Sequence, residues 1–281
     1  ILIKQNKIIK IEKNINPLKL KETEELKILD ATGKIIFPGF IDPHTHHELN
    51  LGKDRMSSDN FASGSNAALA GGVTTIFDFA HQELENETLL QAYLRSLKLA
   101  KKANCRVFFH SGIMNLSDDI EQQIQEVYNA GVSSFKIYMN SIKTNSEFLY
   151  RTLKQISELK ARALIHCEDG VIIEYLKKKL HNSNCRTANY IPASRPELME
   201  VLAINTVITF AEYLKTNIYV VHLSTGKGAE LIAAAQKKKI PITAETCAQY
   251  LLLDDSIYSK KDGYLYTCTP PFRKKEDAEK L

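Results

Sequence analysis

The sequence lacks the features that would place it outside the ordinary globular classes. No apolar run approaches the roughly 20 residues that a membrane-spanning helix needs, and no signal peptide is visible at the start. Five cysteines, Cys105, Cys167, Cys185, Cys247 and Cys268, form an odd set without C-x-x-C spacing. That excludes a disulfide framework and predicts reduced thiols in the cytoplasm. Charge of one sign is scarce: the net charge is +4, and the lysine triplets at 177–179 and 237–239 read as solvated helix faces. Neither a nucleic acid nor a membrane is therefore an expected partner. With 44% hydrophobic and 25% charged residues among 281, disordered and fibrous classes are excluded as well. One large domain, or a large domain with a small one, remains.

What is present changes rhythm along the chain. Residues 1–36 read as short strands with turns at Asn14-Ile-Asn-Pro17 and Gly33, a small β unit. The chain opens on Ile1 within an alternating pattern and stops at Leu281 within a charged helical one, which reads as a fragment. From residue 37 to 281, short apolar β-rich runs alternate with helical stretches. The runs are 37–41, 73–79, 106–109, 134–139, 161–166, 217–222 and 240–246; the helical stretches include 87–103, 120–130, 148–159, 196–214 and 228–238. Near-continuous apolar strands separated by helices predict a parallel sheet covered on both faces. Seven such units fit an α/β fold of the (β/α)8 barrel type with about seven of eight strands present, and a doubly wound open sheet is the competing arrangement.

The polar residues at strand ends point to chemistry. In Pro43-His-Thr-His46 an apolar run stops at two histidines one residue apart. Side chains at i and i+2 of a strand share a face, so His44 and His46 can hold one metal ion. Alone, such a pair also reads as a solvated or hydrogen-bonded one. Lys136 lies within the run Phe-Lys-Ile-Tyr-Met, His166 ends the fifth run and His222 the sixth. A lysine inside a buried strand costs several kcal/mol unless it is paired or modified. In a barrel the C-terminal strand ends meet at one mouth, so these five residues can share a site.

These segments resemble the amidohydrolase superfamily, and within it the dihydropyrimidinase and hydantoinase group. The resemblance rests on Asp30-Ala-Thr-Gly-Lys34, Pro38-Gly-Phe-Ile-Asp-Pro-His-Thr-His46, Ala67-Ala-Leu-Ala-Gly-Gly-Val-Thr-Thr75, Ser134-Phe-Lys136, His166-Cys-Glu-Asp-Gly170, Val221-His-Leu-Ser-Thr225, Glu245-Thr-Cys-Ala-Gln-Tyr-Leu251 and Thr269-Pro-Pro-Phe-Arg273. It implies a catalytic metal-dependent hydrolase barrel at 37–281, with residues 1–36 part of a small β-sandwich domain. It also implies two divalent ions, usually zinc. His44 and His46 would hold the more buried ion, His166 and His222 the more exposed one, and an N6-carboxylated Lys136 would bridge them. The implied reaction opens a dihydropyrimidine or hydantoin ring at a C–N bond to give an N-carbamoyl amino acid, in a homo-oligomer that is often tetrameric.

Two departures accompany the resemblance. The family's general-base aspartate at the eighth strand has no counterpart here and is expected beyond Leu281, so no catalytic residue of that kind is assigned and the fragment alone is expected to be inactive. Hydantoinases carry a tyrosine five residues after the bridging lysine; this chain has Ser141 there. Ser141 and Thr269 are the candidate substrate-binding positions, with Tyr138 expected to pack outward. Dihydroorotase or allantoinase activity is the alternative, but dihydroorotases place a carboxylate-binding arginine where this chain has Glu48. A non-catalytic scaffold is the second alternative, disfavoured because such relatives lose ligands. Cys167 is expected to pack on the far face of its strand, His47 to support rather than ligate, and His81 and His110 to lie outside the ligand set. Asp42 is expected either to orient His44 or to shape a turn.

Overall fold

The computed structural model describes residues 1–281 except 14, 17–26, 51, 53, 54, 85 and 115. The chain divides into two compact units, Ile1–Pro38 and Gly39–Leu281.

In the first unit, β1 (Leu2–Lys4) and β2 (Lys7–Lys10) pair antiparallel. Their connection is Gln5-Asn6, with φ of 49° and 61°. Two positive φ values match the right-handed twist of a hairpin, and asparagine tolerates this region well. Gly33 takes φ 71° in a turn closed by the Lys34 amide on the Ala31 carbonyl at 2.9 Å. The expected turn at Asn14–Pro17 has its end residues outside the described set.

The second unit carries one seven-stranded parallel sheet in chain order: β3 (Phe40–Asp42), β4 (Val73–His81), β5 (Arg106–Ile113), β6 (Ser134–Tyr138), β7 (Arg162–His166), β8 (Asn217–Val220) and β9 (Ile242–Ala244). Sequential parallel neighbours joined by helices are the arrangement of a βα barrel, and the seven strands curl into a half-barrel. Helix 146–158 shows how a crossover packs. It buries Phe148, Leu149, Thr152, Leu153 and Ile156, a spacing that puts them on one face, and Asn145 caps it by accepting from the Phe148 amide at 2.8 Å. Each such fully buried aliphatic side chain contributes roughly 1.5–3 kcal/mol. Together with Ile124, Phe135, Ile165, Ile204 and Val207 they form the main core.

Several boundaries differ from the sequence expectation. β3 begins at Phe40 rather than at 37, and β8 ends at Val220, two residues before His222. Helices 61–70 and 170–182 are additional to the helical stretches named above. The first is hidden in composition by Ser63-Gly64-Ser65, yet Asn60 caps it in a reciprocal box with Ser63.

Two strand-to-helix turns place site residues by the same rule. Asp169 caps helix 170–182, accepting from Ile172 at 3.0 Å, and Thr225 caps helix 226–237, accepting from Gly228 at 3.1 Å. Each cap follows a histidine, His166 or His222, by three residues, so each histidine is fixed where a strand gives way to a helix.

Candidate metal centre

His44 and His46 follow β3, and their Nε2 atoms lie 3.2 Å apart. His166 ends β7, and its Nδ1 lies 3.1 Å from Nε2 of His222. The two pairs adjoin: the rings of His44 and His222 have centroids 5.5 Å apart. Phe79 of β4 lies against the first pair, stacked on His46 at 4.7 Å and edge-on to His44 at 4.8 Å. Lys136 is 1% exposed, with Nζ 5.2 Å from the Phe79 ring centroid.

Burial disfavours the charged forms of His46, His166, His222 and Lys136. It lowers the His46 pKa to about 2, with the neighbouring His44 adding to the effect. It takes His222 well below the ordinary imidazole range, and it brings Lys136 down to about 7 against the opposing pull of Glu245. Neutral nitrogen offers a lone pair, which is the form that binds a metal or takes up CO₂.

Two histidine nitrogens on one tetrahedral zinc, each about 2.0–2.1 Å from it, would stand about 3.3 Å apart. The observed 3.2 and 3.1 Å separations fit that requirement. Among the described residues, no group of three or more His, Cys, Asp or Glu side chains is arranged to hold an ion. A zinc ion at either histidine pair would need a further ligand of another type, and Lys136 is the buried nitrogen nearby.

Backbone strain marks the same place. His222 has φ 40°, a left-handed conformation that costs a non-glycine residue about 1–3 kcal/mol. Its amide lies 3.4 Å from Oε1 of Glu245.

The structure gives the residues of several smaller expectations their partners. Asp42 accepts from the His44 amide at 3.0 Å, the turn role. His47 bonds Asp78 through Nδ1 at 2.7 Å, and Cys167 is packed in the main core. His81 stacks 5.7 Å from His46 and holds the Tyr138 hydroxyl at 2.5 Å; His110 bridges Ser134 at 2.6 Å and the Pro43 carbonyl at 3.0 Å.

One expectation is corrected. Tyr138 does not pack outward: it lies two residues after Lys136 on the same face of β6, with its ring centroid 5.1 Å from Lys136 Nζ. The His44 side chain is 14% exposed and that of His166 is 4%. Among the described residues β3 pairs only with β4, whereas β7 lies between β6 and β8. Of the substrate candidates, Ser141 accepts from the Lys143 amide at 3.3 Å through its hydroxyl, and Thr269 is exposed.

Sequence reasoning assigned no role to Glu245 or Glu168. Glu245 bonds His44 Nδ1 and accepts from Tyr219 at 2.9 Å. Glu168 accepts from His166 Nε2 at 2.7 Å. The available signal was an acid placed just past the end of an apolar strand, in Ile242-Thr-Ala-Glu245 and Leu164-Ile-His-Cys-Glu168.

A half-barrel of parallel strands with histidines and a buried lysine at or near their C-terminal ends defines a barrel of the (β/α)8 class, and the chain belongs to the amidohydrolase family, whose model matches residues 35–258. Over 288 aligned residues it is 35% identical to the D-hydantoinase of Geobacillus stearothermophilus, covering 100% of this chain and 59% of that protein. It is 33% identical to the D-phenylhydantoinase of Escherichia coli (strain K12), covering 90% of this chain and 55% of that protein. The crystal structure of a D-hydantoinase (dihydropyrimidinase) from Thermus sp. superposes with a TM-score of 0.87 at 30% identity, over 93% of this chain and 58% of the other. The chain thus spans rather more than half the length of these relatives.

Proposed function

We propose that the protein hydrolyses a C–N bond in the ring of a hydantoin or dihydropyrimidine, yielding an N-carbamoyl amino acid. The observation that carries this reading is the meeting of His44, His46, His166 and His222 beside the buried Lys136, in a chain similar to hydantoinases. His44 and His46 would hold one ion, His166 and His222 a second, and a carboxylated Lys136 would bridge both. Two zinc ions held there would supply a hydroxide nucleophile near neutral pH and polarise the ring carbonyl.

The chain's own residues supply position and charge. Lys136 is brought within reach of its neutral form by burial, which its reaction with CO₂ requires. Tyr138 shares its face of β6, and burial raises the phenol's pKa, so the hydroxyl stays a donor. It is therefore the nearby candidate for orienting the ring, with Ser141 and Thr269 as outer contacts. Glu48, which pairs with Lys102 at 3.3 Å, stands at the position where a dihydroorotase would use an arginine. By resemblance the protein acts in the cytoplasm as a homotetramer; among the described residues no helix is long and apolar enough to cross a membrane.

The test is an assay of the intact protein with zinc and bicarbonate on dihydrouracil, hydantoin, allantoin and dihydroorotate. Turnover of dihydrouracil or hydantoin is expected. Selective turnover of dihydroorotate would overturn the assignment, and loss of zinc binding with no turnover would favour the scaffold.

A further inference from the structure

Beside the five candidate ligands, a dense buried polar cluster lies at the ends of β7 and β8. Glu168 is 0% exposed. Its Oε2 accepts from His166 Nε2 at 2.7 Å and from Nη1 of Arg195. Its Oε1 lies 3.9 Å from Nη2 of Arg273. Among the described residues, neither Oε1 nor that Nη2 makes a hydrogen bond.

The two arginines are held in turn. Arg273 donates from Nε to the Ser224 hydroxyl at 3.0 Å and from Nη1 to the Arg195 carbonyl. Ser224 donates from its amide and its hydroxyl to Glu200, both at 3.0 Å. Arg195 and Arg273 come from separate segments, after helix 191–194 and near the C-terminus, and both are nearly fully buried.

A buried ionic cluster of this kind is weak as a stability device, because apolar residues of similar volume often do as well or better. What it gives here is direction. A carboxylate gripped by arginines has only acceptors to offer, so His166 Nε2 must carry the ring proton. In the neutral ring Nδ1 then keeps its lone pair, and Nδ1 is the atom 3.1 Å from His222.

We propose that Glu168 is a positioning residue that selects the Nε2–H tautomer of His166 and so makes Nδ1 its ligating atom, with Arg195 and Arg273 fixing the carboxylate. The proposal rests on the two-metal reading above. Glu168 touches no substrate and acts only through the histidine.

The experiment uses the intact protein stripped of metal. Long-range ¹H–¹⁵N NMR of labelled histidines reads the His166 tautomer, and zinc titration against a chromogenic chelator reads each site. In the wild type, the proton should sit on Nε2. Glu168→Gln should mix the tautomers and weaken one of two zinc sites about 10–100-fold while sparing the other. Glu168→Asp, which keeps the charge, should restore part of both, and Arg195→Lys should keep the wild-type tautomer. A wild-type proton on Nδ1, or a Glu168→Gln protein with unchanged tautomer and unchanged zinc affinity, would overturn the proposal. If the wild type takes up no zinc, the two-metal reading fails, and the ring NMR still decides the role of Glu168. If Glu168→Gln does not fold, the wild-type tautomer decides it.

Discussion

His44 and His46 follow a three-residue strand at the edge of the sheet, while His166 and His222 follow strands paired on both sides. Both pairs nevertheless bring two nitrogens to 3.1–3.2 Å. The interior pair is held by the sheet, two helix caps and a buried carboxylate between arginines. The edge pair relies on contacts from the side: Glu245 on His44, Phe79 stacked on His46 and edge-on to His44, and the loop anchored by Asp78 and His110. The difference teaches that the same ligand spacing is reached from different supports, sheet and helix caps for one pair and side contacts for the other. Perturbing those side contacts should therefore act on the His44–His46 pair more than on the other.

The change with the largest expected effect removes what joins the pairs. Lys136→Ala should lower bound zinc from about two ions per chain to about one or none and abolish turnover, as measured by metal analysis and a ring-opening assay. Retention of two ions would contradict the lysine bridge.

Gly64 probes the edge pair from behind. A Cβ there would lie 2.0 Å from the His47 ring, which bonds Asp78. Gly64→Ala should cost about 1–3 kcal/mol in denaturant unfolding and weaken the edge zinc site more than the interior one. Equal weakening of both sites would break the contrast.

Acid offers a third handle. Burial lowers His110 from 6.5 to about 4, and the ring joins β5 to the Pro43 carbonyl beside His44. Because the folded value lies below the unfolded one, the unfolded chain binds the proton first. The His110 contribution is full above about pH 6.5 and is lost as pH falls toward about 4. At pH 5 the loss should approach about 2 kcal/mol. Unfolding of wild type and His110→Gln at pH 7 and pH 5 measures it, and identical pH sensitivity in the two proteins would refute it.

The smallest effect is expected at Glu245, which is 14% exposed and so less committed than Glu168. Glu245→Gln should weaken the edge zinc site about tenfold, the low end of such outer-shell effects. A loss larger than that of Glu168→Gln would invert the comparison.

Much of this was legible in the sequence because it depends on period and position. Apolar runs separated by helical stretches foretold the parallel strands, and His44, His46, Lys136, His166 and His222 were visible as polar residues at or within those runs. What stayed hidden depends on partners distant in the chain. Glu168 gains meaning from Arg195 and Arg273, and Glu245 from His44, some 200 residues away. Tyr138 was misplaced although its i+2 spacing from Lys136 held the answer. Helix 61–70 was masked by residues whose local preference is weak but whose cap is strong.

The most direct measurement is anomalous diffraction at the zinc edge from crystals of the zinc-loaded intact protein grown with bicarbonate. Two peaks about 3.5–4 Å apart are expected, one beside His44 and His46, the other beside His166 and His222, with extra density on Lys136 Nζ between them. A single peak, or an unmodified Lys136 beside two ions, would contradict the central claim.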